Sequence, residues 1–168
     1  SSEGRRFAEQ HHDIKVISRR YEELISQAND YKKSKTKICF NPFWYPVDNF
    51  ATGRIRSSYP AKLLNQVEGI AAKLGYDPDA DIVFVSQLAD DALLENISKN
   101  TAQYVVYDVC DKYYEDERIV GGVNAKSRFY EIVDRANLIV TSTLQLKKDL
   151  YELKIDKPII HIQDGIDF

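Results

Sequence analysis

The chain has 168 residues, 43% hydrophobic and 29% charged, with a formal net charge of −3. A chain of this size suits one domain with a real core, since it buries roughly 70% of its unfolded surface. The acidic balance argues against a general nucleic-acid binder, no apolar run approaches the roughly 20 residues of a membrane span, and no signal-peptide pattern is present.

Residues 1–36 read as a segment apart, an amphipathic helix and linker. Phe7, Ile14, Ile17, Tyr21, Leu24, Ala28 and Tyr31 follow alternating three- and four-residue steps, with Gln10 in the remaining slot. Two readings stand. One is a coiled coil that forms a homo-oligomer through residues 7–31; the other is a single helix lying against its own domain. Lys32-Lys33-Ser34-Lys35 makes a charged hinge before Ile38.

From Lys37 onward short apolar runs alternate with helical stripes. Strands are expected at 37–40, 69–74, 82–86, 104–108, 138–141 and 159–162, and helices at 58–67, 90–99, 126–135 and 144–153. The strands are continuously apolar, as where helices cover both faces of a sheet. Ser58 reads as a helix cap with Pro60 in the first turn, where its missing N–H costs little. Leu93, Leu94 and Ile97 share one face of the second helix, and Phe129, Ile132 and Val133 one face of the third. Ser142-Thr143-Leu144-Gln145 reads as a capping box, followed by Leu146, Leu150 and Leu153 at i, i+4 and i+7. Flanked by the runs at 138–140 and 159–162, that helix completes a βαβ unit. The fold class is therefore α/β: a Rossmann-like, mostly parallel sheet flanked by helices over 37–168. The ending at Asp164-Gly165-Ile166-Asp167-Phe168 and the absence of Met are expected of a chain cut at a domain boundary.

Three nucleotide-binding patterns are missing. The turn after the first strand is Asn41-Pro42-Phe43-Trp44-Tyr45-Pro46 rather than G-x-G-x-x-G, and no P-loop exists. A phosphate-accepting receiver domain would carry paired acids after its first strand and a lysine after its last; Asn41 and Asp164 stand there. Cys39 and Cys110 have neither the count nor the spacing of a disulfide framework or zinc site. Buried free thiols and a reducing, cytoplasmic location are expected, with peripheral contact at the inner face of a membrane left open. No cofactor or metal is implied.

Ligands of an open parallel sheet bind outside the carboxyl ends of its strands. That rule selects the 41–57 loop, Gln87, Asp108 through Asp111, Thr141-Ser142 and Gln163-Asp164-Gly165. The loop carries Phe43, Trp44, Tyr45 and Phe50, which suit stacking on a sugar or base, or equally pin the loop to the body. Gly53, Arg54 and Arg56 before a helix start make an anion site, or the arginines pair with surface carboxylates. Asp108 and Asp111 read either as carboxylates that bond or deprotonate a substrate hydroxyl, or as structural loop acids. The charged stretch 112–124, with Gly121-Gly122 as a hinge, reads as a lid or a plain connection. His161, between Ile160 and Ile162, reads as core.

Taken in order, Gly53-Arg-Ile-Arg-Ser-Ser-Tyr-Pro-Ala-Lys-Leu-Leu64, Ala80-Asp-Ile-Val-Phe84, Val106-Tyr-Asp-Val-Cys-Asp111, Ala136-Asn-Leu-Ile-Val-Thr-Ser142 and Asp164-Gly-Ile-Asp167 form a series. Over residues 37–168 it resembles the amino-terminal, acceptor-side domain of GT-B glycosyltransferases, close to the group 1, family 4-like sugar transferases of polysaccharide biosynthesis. The family's usual ending has Asn where Asp164 stands. The resemblance implies two Rossmann-like halves across a cleft, with a glycan or lipid-linked acceptor on this half and the nucleotide-sugar donor mainly on a second half outside these residues. It implies that Gly53, with Arg54 or Arg56, approaches the donor diphosphate. The substrate-binding candidates are Trp44, Gly53, Arg54, Arg56, Ser142, Asp164 and Gly165, and the catalytic candidates Asp108 and Asp111; this chain alone is expected to be inactive. Two other readings are a non-catalytic Rossmann-like scaffold that oligomerises through its amino-terminal helix, and a sugar-nucleotide epimerase, which shares the architecture.

Overall fold

The computed structural model describes residues 19–22, 35–43, 46 and 49–164. Its β-branched and aromatic runs form strands β1 (Thr36–Pro42), β2 (Ile70–Leu74), β3 (Ile82–Ser86) and β4 (Tyr104–Val109). After a small hairpin of β5 (Ile119–Val120) and β6 (Val123–Asn124) come β7 (Leu138–Thr141) and β8 (Ile159–His161). Six of these make one all-parallel sheet in the order β2-β1-β3-β4-β7-β8. The fold is thus α/β with a Rossmann-like parallel sheet flanked by helices.

Alternation along the strands sorts the core into two layers. Phe40, Phe84, Val106 and Leu138 stand side by side in register on one face. There they join Ala61 and Leu64 from helix α1, described below. Cys39, Val83, Val85, Tyr107 and Ile139 point to the other face, against α2 (Asp91–Lys99), α3 (Ala125–Arg135) and α4 (Leu144–Glu152). The chain leaves β1 toward β2 on one side and resumes at β3 on the other. The switch point, where such sheets bind ligands, therefore lies between β1 and β3.

Each of the last three helices opens on a side-chain cap. Asp90 accepts from the Leu93 N–H at 2.8 Å, Asn124 from Ser127 at 2.9 Å and Thr143 from Leu146 at 3.0 Å. The last of these caps sits one residue beyond the Ser142 that the sequence pattern favours.

Helix α1 departs most from expectation. It begins at Ala51–Gly53, widens into a π-helical segment at Arg54–Ser58 and continues as Tyr59–Leu64. Ser58 is helical at φ −65° and ψ −48° and caps nothing, so the expected start at 58 is corrected to 51. The widening just before Pro60 gives a physical reason for the continuity: a proline inside a helix removes a bond and crowds the preceding turn, and a π segment relieves both.

The stretch after β4 also differs from an open loop. Tyr113–Glu115 form a 3₁₀ turn whose two tyrosines are buried, and Gly121-Gly122 make the two-residue turn of the β5–β6 hairpin at φ +58° and +85°. The glycines are a turn, not a hinge. A side chain at Gly121 would place its Cβ 2.5 Å from the Phe43 ring, so that ring lies directly on the hairpin tip. Among the aromatics of the 41–57 loop, Phe43 is thus pinned to the body.

Of the amino-terminal stripe, only Tyr21 falls within the described residues. It is 1% exposed, edge-on to Phe84 at 5.4 Å and to Phe40 at 6.3 Å, while those two rings stack at 4.6 Å. One stripe position therefore packs inside its own domain. The rest of the coiled-coil reading, over 7–18 and 23–31, lies outside the described residues.

Candidate functional site

The carboxyl edge of the sheet gathers the polar residues of the fold. Parallel pairing sets Ser86 at the end of β3 opposite Asp108 near the end of β4, and period-2 alternation turns both toward α1. From the π segment of α1, Arg56 reaches across to them. Its Nε donates to Asp108 Oδ2 at 2.6 Å, Nη2 donates to Asp108 Oδ1, and Nη1 donates to Asp164 Oδ1 beyond β8. Arg56 is 3% exposed and Asp108 fully buried. Ser86 also bonds the Asp108 carboxylate, and Ser86 Oγ lies 3.3 Å from Ser57 Oγ.

The electrostatics follow from this enclosure. Burial works against the Arg56 charge, but Asp108, Tyr21 and Asp164 outweigh it and raise the guanidinium pKa further. Burial pushes the Asp108 carboxyl up from the usual carboxylate range, while Arg56 pulls it back. Burial likewise raises the Tyr21 phenol beside the pair. A bidentate pair of this kind fixes geometry rather than offering a free base.

Neighbouring positions are held just as firmly. Gln87 follows β3 in the left-handed region at φ +70°, where its N–H donates to Asp108 O at 3.0 Å and its own carbonyl accepts from Tyr107 Oη at 2.7 Å. Bonds to the peptide groups on both sides of Gln87 hold a conformation that non-glycine residues rarely adopt. Asn41 donates from Nδ2 to Phe84 O at 3.2 Å. Ser142 Oγ donates to Cys110 O at 3.4 Å, and His161 Nε2 lies 3.3 Å from Ser142 O. Burial lowers the His161 pKa. Cys39 and Cys110 are free thiols, the first buried and the second half-buried.

Not every expected site residue joins this group. Gly53 lies inside α1 with ordinary helical angles, φ −63° and ψ −42°. Gly53, Arg54 and Arg56 therefore do not form a loop leading to a helix start, and the arrangement of backbone N–H groups expected there is not built. Arg54 is half-buried on the same helix and engaged in its own interactions. Asp111 is exposed, receives Tyr113 Oη at 3.3 Å, and lines a separate open groove of about 570 Å³ with Lys112, Glu115, Asp116 and Arg118. Trp44 and Gly165 lie outside the described residues.

The sequence reading missed Ser57, Ser86 and Tyr21 as members of the cluster. Ser86 carried a signal: it ends an apolar strand at the carboxyl edge, two residues after Phe84. Ser57 carried none, because its burial depends on the π widening. Among the described residues, no group of three or more His, Cys, Asp or Glu side chains is placed to hold a metal ion, and no helix is long and apolar enough to cross a membrane.

Fold and site together define a doubly wound α/β domain whose buried Arg56–Asp108 pair stands at the carboxyl edge, one strand from the switch point. No family model, curated protein or solved structure matches the chain.

Proposed function

We propose that the chain is the acceptor-side half of a GT-B glycosyltransferase, binding a glycan or lipid-linked acceptor at the carboxyl edge of its sheet. One observation carries this reading. Residues from four motifs of the series, spread from Arg56 to Asp164, come together there: Arg56 bonds Asp108 and Asp164, and Ser142 is tied to the strand-end carbonyl of Cys110. In the reaction an acceptor hydroxyl attacks the anomeric carbon of the donor sugar and the nucleotide diphosphate leaves. This half contributes by positioning the acceptor, with rate gained from orientation. Asp108 serves as the positioning residue for Arg56. Asp111, whose carboxylate is exposed at the same end of β4, is the better placed of the two acids to take a hydroxyl proton.

The test is an amide-resolved NMR titration of the chain with neutral mono- and disaccharides and, separately, with nucleotide sugars. Saccharides are expected to shift residues 86–87, 108–111, 141–142 and 163–164, with nucleotide sugars weaker. Saccharides that leave this edge unperturbed would overturn the reading. The scaffold alternative gains no support from Tyr21, which packs within its own domain.

A further inference from the structure

Arg56 divides its donors between two unlike partners. The Nε–Nη2 edge is locked to Asp108, and both groups are sealed from solvent. The Nη1 edge meets Asp164, which is 45% exposed and lies on the segment beyond β8, 108 residues away along the chain. Asp108 already neutralises the guanidinium. Asp164 adds a second carboxylate, so the three groups together carry one excess negative charge. The Asp164 end of this pair is half-exposed, so it exchanges for solvent or for another partner more readily than the sealed Asp108 end. The planar edge of a guanidinium is suited to carboxylate and phosphate oxygens.

We propose that Asp164 is a latch occupying the seat of a ligand oxyanion. In the free protein its carboxylate closes the Nη1 edge of Arg56; a carboxylate or phosphate on the ligand displaces it and takes the same bond. The surroundings fit an exchange site. The seat lies at the carboxyl ends of β3 and β4, Arg56 is held from behind by a buried acid, and the adjoining Gln87 backbone is fixed by bonds on both sides. Asp164 lies beyond the β7–β8 ladder, which ends at His161, so its side chain can swing away with the strand pairing intact. That the ligand is a sugar acceptor bearing an acidic group rests on the glycosyltransferase reading; the exchange itself does not.

The experiment uses the 168-residue chain at constant ionic strength, with inorganic phosphate and glucuronate as probes, followed through the Arg56 Nε–H signal and the thermal midpoint. Asp164→Ala empties the seat and is expected to tighten oxyanion binding about fivefold, the weight of a partly exposed ion pair. Arg56→Lys keeps a cation against Asp108 but removes the second edge, and is expected to lose the rise in thermal midpoint that the probes cause, the readout that applies to this variant. No tightening in Asp164→Ala overturns the latch, and so does an undiminished response in Arg56→Lys. Asp164→Ala changes a side chain that is 45% exposed and leaves the Arg56–Asp108 pair in place, so it decides the matter even if Arg56→Lys does not fold. Whichever probe binds better identifies the oxyanion as carboxylate or phosphate. Exchange of these probes without binding of neutral saccharides at the edge would keep the latch and sink the glycosyltransferase reading.

Discussion

Breaking the Arg56–Asp108 pair from one side should be far more damaging than removing it whole. Arg56→Met leaves the fully buried Asp108 carboxylate without its counter-ion, and Asp108→Leu leaves a guanidinium that is 3% exposed with only the half-exposed Asp164 as counter-charge. Loss of one member of a buried pair costs about 3–5 kcal/mol. For a chain of this length, at about 2–4 °C per kcal/mol, that lowers the thermal midpoint by about 6–20 °C. In the double variant both charges are gone and the side chains are of similar bulk, so its stability should return to within about 1–2 kcal/mol of the parent. Asp164 adds little to the cycle, because it is half-solvated and regains water when Arg56 is removed. Urea unfolding of the four proteins, monitored by circular dichroism, gives the coupling energy directly. Two single variants that each cost under about 1 kcal/mol and add in the double would refute the buried pair, and with it the role of Asp108 as a positioning residue.

Three further outcomes follow from local geometry. Helix α4 ends in a Schellman arrangement, with Lys154 N–H bonded to Tyr151 O at 3.0 Å and Ile155 N–H to Leu150 O at 3.2 Å, but a lysine at φ +57° holds the place glycine usually takes. Lys154→Gly should therefore gain about 1 kcal/mol in urea unfolding, and a loss would show that the lysine side chain matters more than the backbone strain. Gly121→Ala should lower the thermal midpoint on two counts, a side chain at φ +58° and a methyl driven into the Phe43 ring, and only the second part should vanish in a Phe43→Ala background; equal penalties in both would deny the contact. Asp149 is held down to about 2 by hydrogen bonds from Lys112, Tyr114 and Gln145. A depressed carboxyl contributes stability that is full above its unfolded value of about 3.9 and is lost as pH falls toward about 2. Asp149→Asn should accordingly lower the midpoint at neutral pH and flatten its fall between pH 4 and 2, whereas an unchanged acid slope would discard the assignment.

The sheet was legible because burial on both faces writes itself as short continuous runs. Ile82–Ser86 and Leu138–Thr141 match expectation residue for residue, and α2 and α3 begin at Asp90 and Asn124 caps that sit where a cap chemically belongs. Helix α1 was not legible before residue 58. Gly53, Ser58 and Pro60 are all ordinary signs of a helix start, and what overrides them is a π widening, an effect of packing that no short pattern announces. The hairpin at 119–124 was legible in retrospect, since Val120-Gly121-Gly122-Val123 is a two-residue turn between apolar residues. Within the site, the carboxyl-edge rule selected Asp108, Ser142 and Asp164 from the strand ends alone. It could not show that Asp108 faces inward, because that follows from register with Ser86 and from the reach of Arg56.

The Arg56 network also orders events during synthesis. Arg56 leaves the ribosome 52 residues ahead of Asp108 and 108 ahead of Asp164. A nascent β1–α1–β2 unit that closed on its own would have to bury a guanidinium with no partner, which is strongly unfavourable. The amino-terminal third of the domain therefore reaches its final packing around Arg56 only when β4 delivers the counter-charge. Helix α1 packs on its neighbours β1 and β2, but its Arg56 anchor depends on a strand far along the chain, and contacts of that separation form slowly. Until β4 emerges, Phe40 and Phe84 lack their finished cover, so translation between residues 64 and 108 is the interval in which this chain most needs protection from aggregation.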